Sequence, residues 1–259
     1  MIQVKAKKSL GQHFLKSQDI AARIAGTLDA YRGMPILEVG PGMGVLSKHL
    51  LRLGHDLTVI ELDKESVSYL NEHEPALAGR ILAEDFLAFP IAKWTLDPFC
   101  LIGNYPYNIS SQIFFKVLDH KDQIPCCSGM IQKEVAERIA SKPGKKAYGI
   151  LSVLLQAWYD IEYLFTVDPS VFDPPPSVMS GVIRMTRNET KKLDCNEVLF
   201  KQVVKTSFNQ RRKMLRNSVK SLMDGDPTLY DDPIFTKRPE QLSVADFIYL
   251  TNLLEQGMG

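Results

Sequence analysis

Along this chain the spacing of hydrophobic residues alternates between two periods. Short, mostly apolar runs at Pro35-Ile36-Leu37-Glu38-Val39, residues 56–60, Ile81-Leu82-Ala83 and Phe99-Cys100-Leu101-Ile102 have the length and composition of buried strands. Between them, residues 45–53, 64–72 and 111–118 repeat apolar positions every three or four residues, and a further helical stretch covers 19–28. Strands alternating with helices at this spacing predict an α/β fold, a parallel sheet covered on both faces. Residues 126–132, 161–165 and 181–185 read as additional strands, and the loop at 141–146 separates helical segments. After about residue 186 the pattern is purely helical. Val204, Phe208, Leu215, Val219 and Leu222 share one face, and a short amphipathic helix covers 246–254. The expected division is residues 1–186 as the α/β domain and 187–259 as a small all-helical domain.

Ligands of such sheets bind beyond the carboxyl ends of the strands. There the first strand runs into Glu38-Val39-Gly40-Pro41-Gly42-Met43-Gly44. Glycines at a strand-to-helix turn let backbone approach a ligand closely and leave helix N–H groups free. The dinucleotide fingerprint G-x-G-x-x-G is absent, because Val45 stands three residues after Gly42, and no G-K-[ST] follows to make a phosphate loop. Glu61 ends the next strand, where an acid suits a ribose diol. Asp85-Phe86, after the third strand, can offer a carboxylate acceptor and a backbone donor to an adenine edge. S-adenosylmethionine has the ribose and the adenine, and no phosphates. A plain tight turn explains the glycines alone, and a helix cap explains Asp85 alone; Glu61 weighs against the first.

The fourth strand ends in Gly103-Asn104-Tyr105-Pro106-Tyr107-Asn108-Ile109-Ser110. An adenine amine is a poor nucleophile because its lone pair is delocalised into the ring. Two acceptors holding its hydrogens favour the localised form in the transition state. The Asn104 side-chain carbonyl and a backbone carbonyl at Tyr105 or Pro106 are placed to do this, with Pro106 fixing the local φ. Tyr107 offers a flat face on which an extruded base can stack. A sulfonium leaving group is already activated, so no strong general base is needed. A proline turn with buried aromatics is the competing reading of this stretch taken alone.

The formal net charge is +1, which conceals where charge sits. Residues 1–18 carry Lys5, Lys7, Lys8 and Lys16 without an acid, and residues 198–223 carry Lys201, Lys205, Arg211, Arg212, Lys213, Arg216 and Lys220, again without one. Arg212, Arg216 and Lys220 recur every four residues, predicting a basic stripe on one helix, a footprint for phosphates. Lys145 and Lys146 on the Pro-Gly loop add to it. Cys100, Cys126, Cys127 and Cys195 form no C-x-x-C and the histidines have no metal-ligand spacing, so no metal and no disulfide framework are expected. No signal peptide and no apolar run long enough to span a membrane are visible, so a cytoplasmic protein with no membrane partner is expected.

These motifs resemble those of the small-subunit (16S) ribosomal RNA adenine N6,N6-dimethyltransferases. The resemblance rests on Lys8-Ser9-Leu10-Gly11-Gln12-His13-Phe14-Leu15, the turn from Glu38 to Gly44, Val59-Ile60-Glu61-Leu62-Asp63, Asn104 to Ser110, Gln132-Lys133-Glu134-Val135 and Lys146-Ala147-Tyr148-Gly149. It continues through Val171-Phe172-Asp173-Pro174-Pro175-Pro176, Phe208-Asn209-Gln210-Arg211-Arg212-Lys213, Leu215-Arg216-Asn217-Ser218 and Arg238-Pro239-Glu240-Gln241-Leu242-Ser243. It implies a Rossmann-like class I S-adenosylmethionine-dependent methyltransferase sheet with a small helical C-terminal domain. The implied activity is dimethylation of two adjacent adenosines in a hairpin loop near the 3′ end of 16S rRNA, on the immature 30S subunit, yielding S-adenosylhomocysteine. Gln12, His13, Leu15, Gly40, Gly42, Glu61, Asp85, Phe86 and Asn104 would form the cofactor site. Asn104 and Pro106 would orient the target amine, Tyr107 would stack on the base and Phe172 would close its other face. Arg211, Arg212, Lys213, Arg216, Lys220, Lys145 and Lys146 would meet RNA, and a monomer is expected.

Tyr105 stands where the family commonly has Leu, Glu84 where Gly is frequent, and Ser177 and Met179 replace the usual Lys and Asp. Two rivals share the fold. One is a large-subunit rRNA adenine methyltransferase of the antibiotic-resistance type, against which residues 208–218 and 238–243 argue. The other is a non-catalytic ribosome-assembly or transcription factor, against which intact Glu61, Asp85 and Asn104 argue.

Overall fold

The computed structural model describes residues 4–222 and 231–257. Residues 1–3 and Met223, the end of the acid-free stretch, lie outside them. The chain divides into two compact units, Met1–Ala136 with Ile161–Arg187, and Glu137–Asp160 with Asn188–Gly259.

The first unit is built on a seven-stranded sheet. Its order is β4 (Ile81–Leu82), β3 (Leu57–Ile60), β2 (Ile36–Val39), β5 (Cys100–Asn104), β6 (Cys126–Gln132), β9 (Ser180–Arg187) and β7 (Tyr159–Val167). The first five strands are parallel. β9 runs antiparallel to β6, so the sheet is mixed where the strand-helix alternation predicts a parallel one. Every residue of β2 and β3 is buried, as expected of strands covered on both faces. The cover comes from α1 (Gln18–Ala25), α2 (Val45–Arg52), α3 (Lys64–His73), α4 (Ser110–Asp119) and the start of α5 (Lys133–Ile139). A separate two-residue ladder, β1 (Phe14–Leu15) with β8 (Phe172–Asp173), ties the N-terminal segment to a distant part of the chain. Chain order reverses at β2, with β3 on one side and β5 on the other, and this opens a crevice beyond their carboxyl ends.

The second unit contains α6 (Ile150–Gln156), α7 (Glu197–Asn209), α8 (Leu215–Ser218) and α9 (Val244–Gln256). The first unit's later segment ends at Arg187, and residues 137–160 fall in the second unit. Residues 137–160 belong with the C-terminal helices, because α6 buries Leu151 to Leu155 in succession and needs apolar partners all round. Trp158 packs edge-on to Phe200, and Tyr148 packs edge-on to Phe208. The continuous helix expected through residue 222 is also broken. α7 ends at Asn209, a turn follows, and extended Met214 precedes α8. Leu215 N–H instead donates to Lys237 O at 2.8 Å, so a tertiary bond replaces the helical one. Leu215 and Val219 remain buried, which preserves the apolar period across the break.

Candidate active site

A cleft opens at the carboxyl ends of β2, β3 and β5. Its floor is the glycine turn. Gly40, Gly42 and Gly44 all have positive φ (67°, 55° and 76°), a conformation that side chains resist. A Cβ on Gly42 would lie 2.9 Å from the Phe14 ring, so the turn also needs glycine for space.

Glu61 braces this floor from the end of β3. Gly42 N–H donates to its Oε2 at 3.1 Å and Asp63 N–H donates to its Oε1 at 2.8 Å. Each oxygen keeps acceptor capacity toward the cleft, as a diol requires. Burial raises the Glu61 pKa, and the two N–H donors oppose the rise. Behind it Glu38 is 1% exposed and accepts from Ser47 Oγ at 2.5 Å. Burial, with a contribution from the Glu61 charge and against the Ser47 bond, pushes Glu38 up to about 8.

A raised folded-state pKa means that stability is fully present below the unfolded value near 4.5 and is lost as pH rises through about 8. Within that window the loss approaches about 1.4 kcal/mol per pH unit for one group. Glu38→Gln is therefore expected to flatten the fall in stability between pH 5 and 9. Denaturant unfolding at several pH values checks this, and an unaltered slope would place the titrating group elsewhere.

The N-terminal segment roofs the cleft. Lys7 pairs with Asp63 and, at 3.1 Å, with Glu65; Gln12 accepts from Lys7 N–H at 2.8 Å and donates to Asp63 at 3.3 Å. Gln12 thus reaches the wall of the cleft with its amide committed to this latch. Lys7 is held by carboxylates and is not a free phosphate contact. Asp63, which also caps α3, escapes sequence reasoning because its partners lie some 50 residues away in the chain. His13 and Leu15 line the cleft as expected, His13 Nδ1 lying 2.8 Å from Pro174 O.

Phe172 is the departure. It is 1% exposed, sits in the hydrophobic core and lines neither cavity, so in this structure it offers no face to a base. Its register opposite Leu15 explains the burial, because the β1–β8 ladder turns the ring inward.

At the end of β5, Asn104 Nδ2 donates to His13 O at 3.0 Å. A carbonyl can only accept, so the amide orientation is determined and Oδ1 faces away, with no donor reaching it among the described residues. Pro106 O accepts from Ile109 N–H at 3.3 Å, whereas the Tyr105 carbonyl has no donor among the described residues. Of the two carbonyls, that of Tyr105 is the one left wholly unengaged among the described residues. The Tyr105 ring is core: its hydroxyl donates to Ser128 O at 2.8 Å, in space left by Gly103 and Gly129. A Cβ on Gly129 would stand 2.6 Å from that ring. The two aromatics of this turn thus separate into a buried anchor, Tyr105, and a residue of both cavities, Tyr107.

Tyr107 bonds through its hydroxyl to Ser180, lies 5.5 Å from the His13 ring and lines both the cleft and a second cavity beside it. The second cavity is also walled by Gly11, Asn108 and the Pro174–Val178 segment. Gly11 is required there, since a Cβ would come within 2.6 Å of Asn108 Oδ1. At the other end of the cleft, Asp85 Oδ1 accepts from Leu87 N–H at 2.9 Å, which leaves its other oxygen available. Phe86 lines the wall there. Leu62, 53% exposed, presents an apolar face to the same cleft. An apolar residue directly after the strand-end acid was the signal available in the sequence for it.

The basic residues fall within the second unit. Arg211 donates to the carbonyls of Lys145 (3.3 Å) and Lys146 (2.7 Å), so it braces the loop rather than standing free. It thereby brings exposed Lys145 and Lys146 beside exposed Arg212 and Lys213. The stripe of three basic residues on one helix does not form, because Arg212 is in the turn after α7, Arg216 is on α8 and Lys220 is in the short turn of helix beyond it. Among the described residues no helix is long and apolar enough to cross a membrane.

The family model for ribosomal RNA adenine dimethylase matches residues 3–255 of this chain. A protein of Parabacteroides distasonis named ribosomal RNA small subunit methyltransferase A is 68% identical over 96% of this chain and 93% of its own length. One of Porphyromonas gingivalis with the same name is 63% identical over 99% and 100%. Among solved structures, a dimethyladenosine transferase from Plasmodium falciparum superposes with a TM-score of 0.78 at 24% identity, covering 94% of this chain and 97% of that one. The 23S rRNA methyltransferase ErmE superposes at 0.67 with 25% identity, covering 94% and 100%.

Proposed function

Because this chain belongs to the ribosomal RNA adenine dimethylase family, we propose that it transfers methyl groups from S-adenosylmethionine to the N6 amines of two adjacent adenosines near the 3′ end of 16S rRNA. The substrate is the immature 30S subunit and the enzyme acts as a cytoplasmic monomer. The observation that carries the reading is the pair of unclaimed acceptors, Asn104 Oδ1 and the Tyr105 carbonyl, in the cleft two residues before Tyr107, which lines both the cleft and the second cavity. The relatives at 63–68% identity carry the small-subunit name, which supports this reading over the large-subunit one.

The residues of the cleft fit the cofactor. Glycine turns leave room above the backbone, Glu61 keeps acceptors for a ribose diol, and Asp85 with the Phe86 backbone matches an adenine edge. When bound, the cofactor supplies a methyl group activated by a sulfonium. The chain's part is to hold the amine. Asn104 and the Tyr105 carbonyl accept its two N–H groups and localise its lone pair, stabilising the transition state more than the ground state. Tyr107, fixed through Ser180, supports the base, with stacking worth about 1–3 kcal/mol. The alkylated nitrogen is acidic enough to lose its proton to water.

Arg212, Lys213 and Arg216, with Lys145 and Lys146, are the phosphate contacts. Replacing Arg212, Lys213 and Arg216 by Gln is expected to weaken subunit binding and to reduce the slope of log K against log salt by about 2, since each lost contact releases fewer counterions. Binding measured across a salt series checks this, and an unchanged slope would move the RNA surface. The reaction itself is tested with labelled S-adenosylmethionine and under-methylated small subunits, followed by nucleoside analysis. Dimethyladenosine in small-subunit RNA is expected. Label confined to large-subunit RNA, or binding without label, would overturn the assignment.

A further inference from the structure

Lys116, in the second half of α4, spends its ammonium in an unusual way. Its Nζ donates to Phe86 O at 2.5 Å, to Leu87 O at 3.2 Å and to Phe89 O. Three donors meet three carbonyls, which satisfies the ammonium completely. Among the described residues no other donor reaches these carbonyls and no carboxylate lies within ion-pairing distance of Lys116. The charge also stands 4.9 Å from the centroid of the Phe86 ring, a cation–π distance. A half-buried lysine without a carboxylate partner is costly unless its hydrogen bonds are complete, and here each of them ends on the turn that carries Asp85 and Phe86.

Phe86 and Phe89 seat that turn in the core by burial, but its other hydrogen bonds among the described residues are internal. Asp85 O accepts from Ala88 and Phe89, and Asp85 Oδ1 from Leu87, all within the turn itself. The carbonyls of Phe86, Leu87 and Phe89 point to one spot, and without a cation there they would repel one another in a partly buried place. The helix bearing Lys116 begins directly after the Asn104–Tyr107 turn. One side chain therefore joins the wall of the cleft at Asp85 to the element that follows the acceptor pair.

We propose that Lys116 is a positioning residue that sets the adenine-reading geometry of Asp85 and Phe86. The proposal rests on the reading of these two residues as contacts to the cofactor's adenine. Their recognition depends on direction: a carboxylate accepts from the exocyclic amine, and a backbone N–H donates to the neighbouring ring nitrogen. Hypoxanthine presents the opposite pattern there, with an oxygen facing the carboxylate and an N–H facing the backbone donor. A rigid turn rejects hypoxanthine, because mispaired buried polar groups are expensive. A loosened turn accommodates it.

The test compares binding of S-adenosylhomocysteine and S-inosylhomocysteine by calorimetry in the wild type, Lys116→Met, Lys116→Gln and Asp85→Ala, with steady-state kinetics alongside. The wild type is expected to prefer the adenine ligand by about 100-fold or more. Both Lys116 variants are expected to lose about tenfold of that preference and to raise KM for S-adenosylmethionine about tenfold, with kcat at saturation within about twofold. Lys116→Gln keeps one amide donor and is expected to be the milder of the two, so it carries the test if Lys116→Met does not fold. A merely structural role would lower thermal stability and leave the ligand preference intact, which would overturn the proposal. If Asp85→Ala also keeps the full preference, the adenine reading itself fails, and the proposal with it. Loss in Asp85→Ala with none in either Lys116 variant would leave that reading standing and remove Lys116 from it.

Discussion

Asn104→Ala is expected to lower kcat by about 10³-fold while leaving the affinity for S-adenosylhomocysteine within a few-fold, because one group of a preorganised pair aimed at the reacting atom typically contributes about 10²–10³ in rate. The structure sharpens the expectation in two ways. Asn104 Nδ2 is tied to His13 O, so the free acceptor is Oδ1 and the side chain cannot rotate without breaking that bond. Its partner is the Tyr105 carbonyl, which a side-chain substitution leaves in place, so the variant isolates one acceptor of two. Asn104→Asp supplies acceptors but sets its charge against the His13 carbonyl, and its activity is expected to fall between. Single-turnover methylation of small subunits, with cofactor binding measured separately, distinguishes the outcomes. Undiminished turnover by Asn104→Ala would show that the amine is oriented by other groups.

Glu61→Ala is expected to weaken S-adenosylhomocysteine binding by about 100-fold. Two hydrogen bonds from a diol to a carboxylate contribute about 1.5–3 kcal/mol each, and part of that total is offset by the cost of taking a buried carboxylate's remaining solvation away. The same substitution strips Gly42 N–H and Asp63 N–H of their acceptor, so the floor of the cleft is loosened along with the loss of the ligand contact. Glu61→Gln keeps one carbonyl oxygen and is expected to lose about tenfold. Calorimetric titration reads both variants, and an unchanged Kd would leave Glu61 as a brace for the glycine turn alone.

Positions where a strand ends were legible in the sequence. Glu38, Gly40, Gly42, Glu61, Asp85, Asn104 and Tyr107 lie where a strand ends, and all of them line the cleft. Residues whose role depends on a partner far along the chain were not. Asp63 stands in the motif Val59 to Asp63 with no role assigned by the sequence, and only the fold brings Lys7 and Gln12 to it. Lys116 lies within the helix expected at 111–118, and only the turn at residues 86–89 gives it three carbonyls. Phe172 carries the family's motif, and only its ladder with Leu15 turns the ring into the core.

The C-terminal part shows the same division. An apolar period of about 3.6 announced helices and held their buried positions, but period says nothing of continuity, and a bond from Leu215 to Lys237 breaks the helix that a basic stripe would need. Arg211, counted with its neighbours by charge, instead braces the loop bearing Lys145 and Lys146. By itself, then, the sequence determined the fold class, the strand-end positions that line the cleft and the family, because hydrophobic period and turn residues act over a few positions. The tertiary structure alone decided which acceptor at the Asn104 turn is free, which basic residues are committed and where residues 137–160 belong, because hydrogen bonds and burial are settled among groups that only the folded chain brings together.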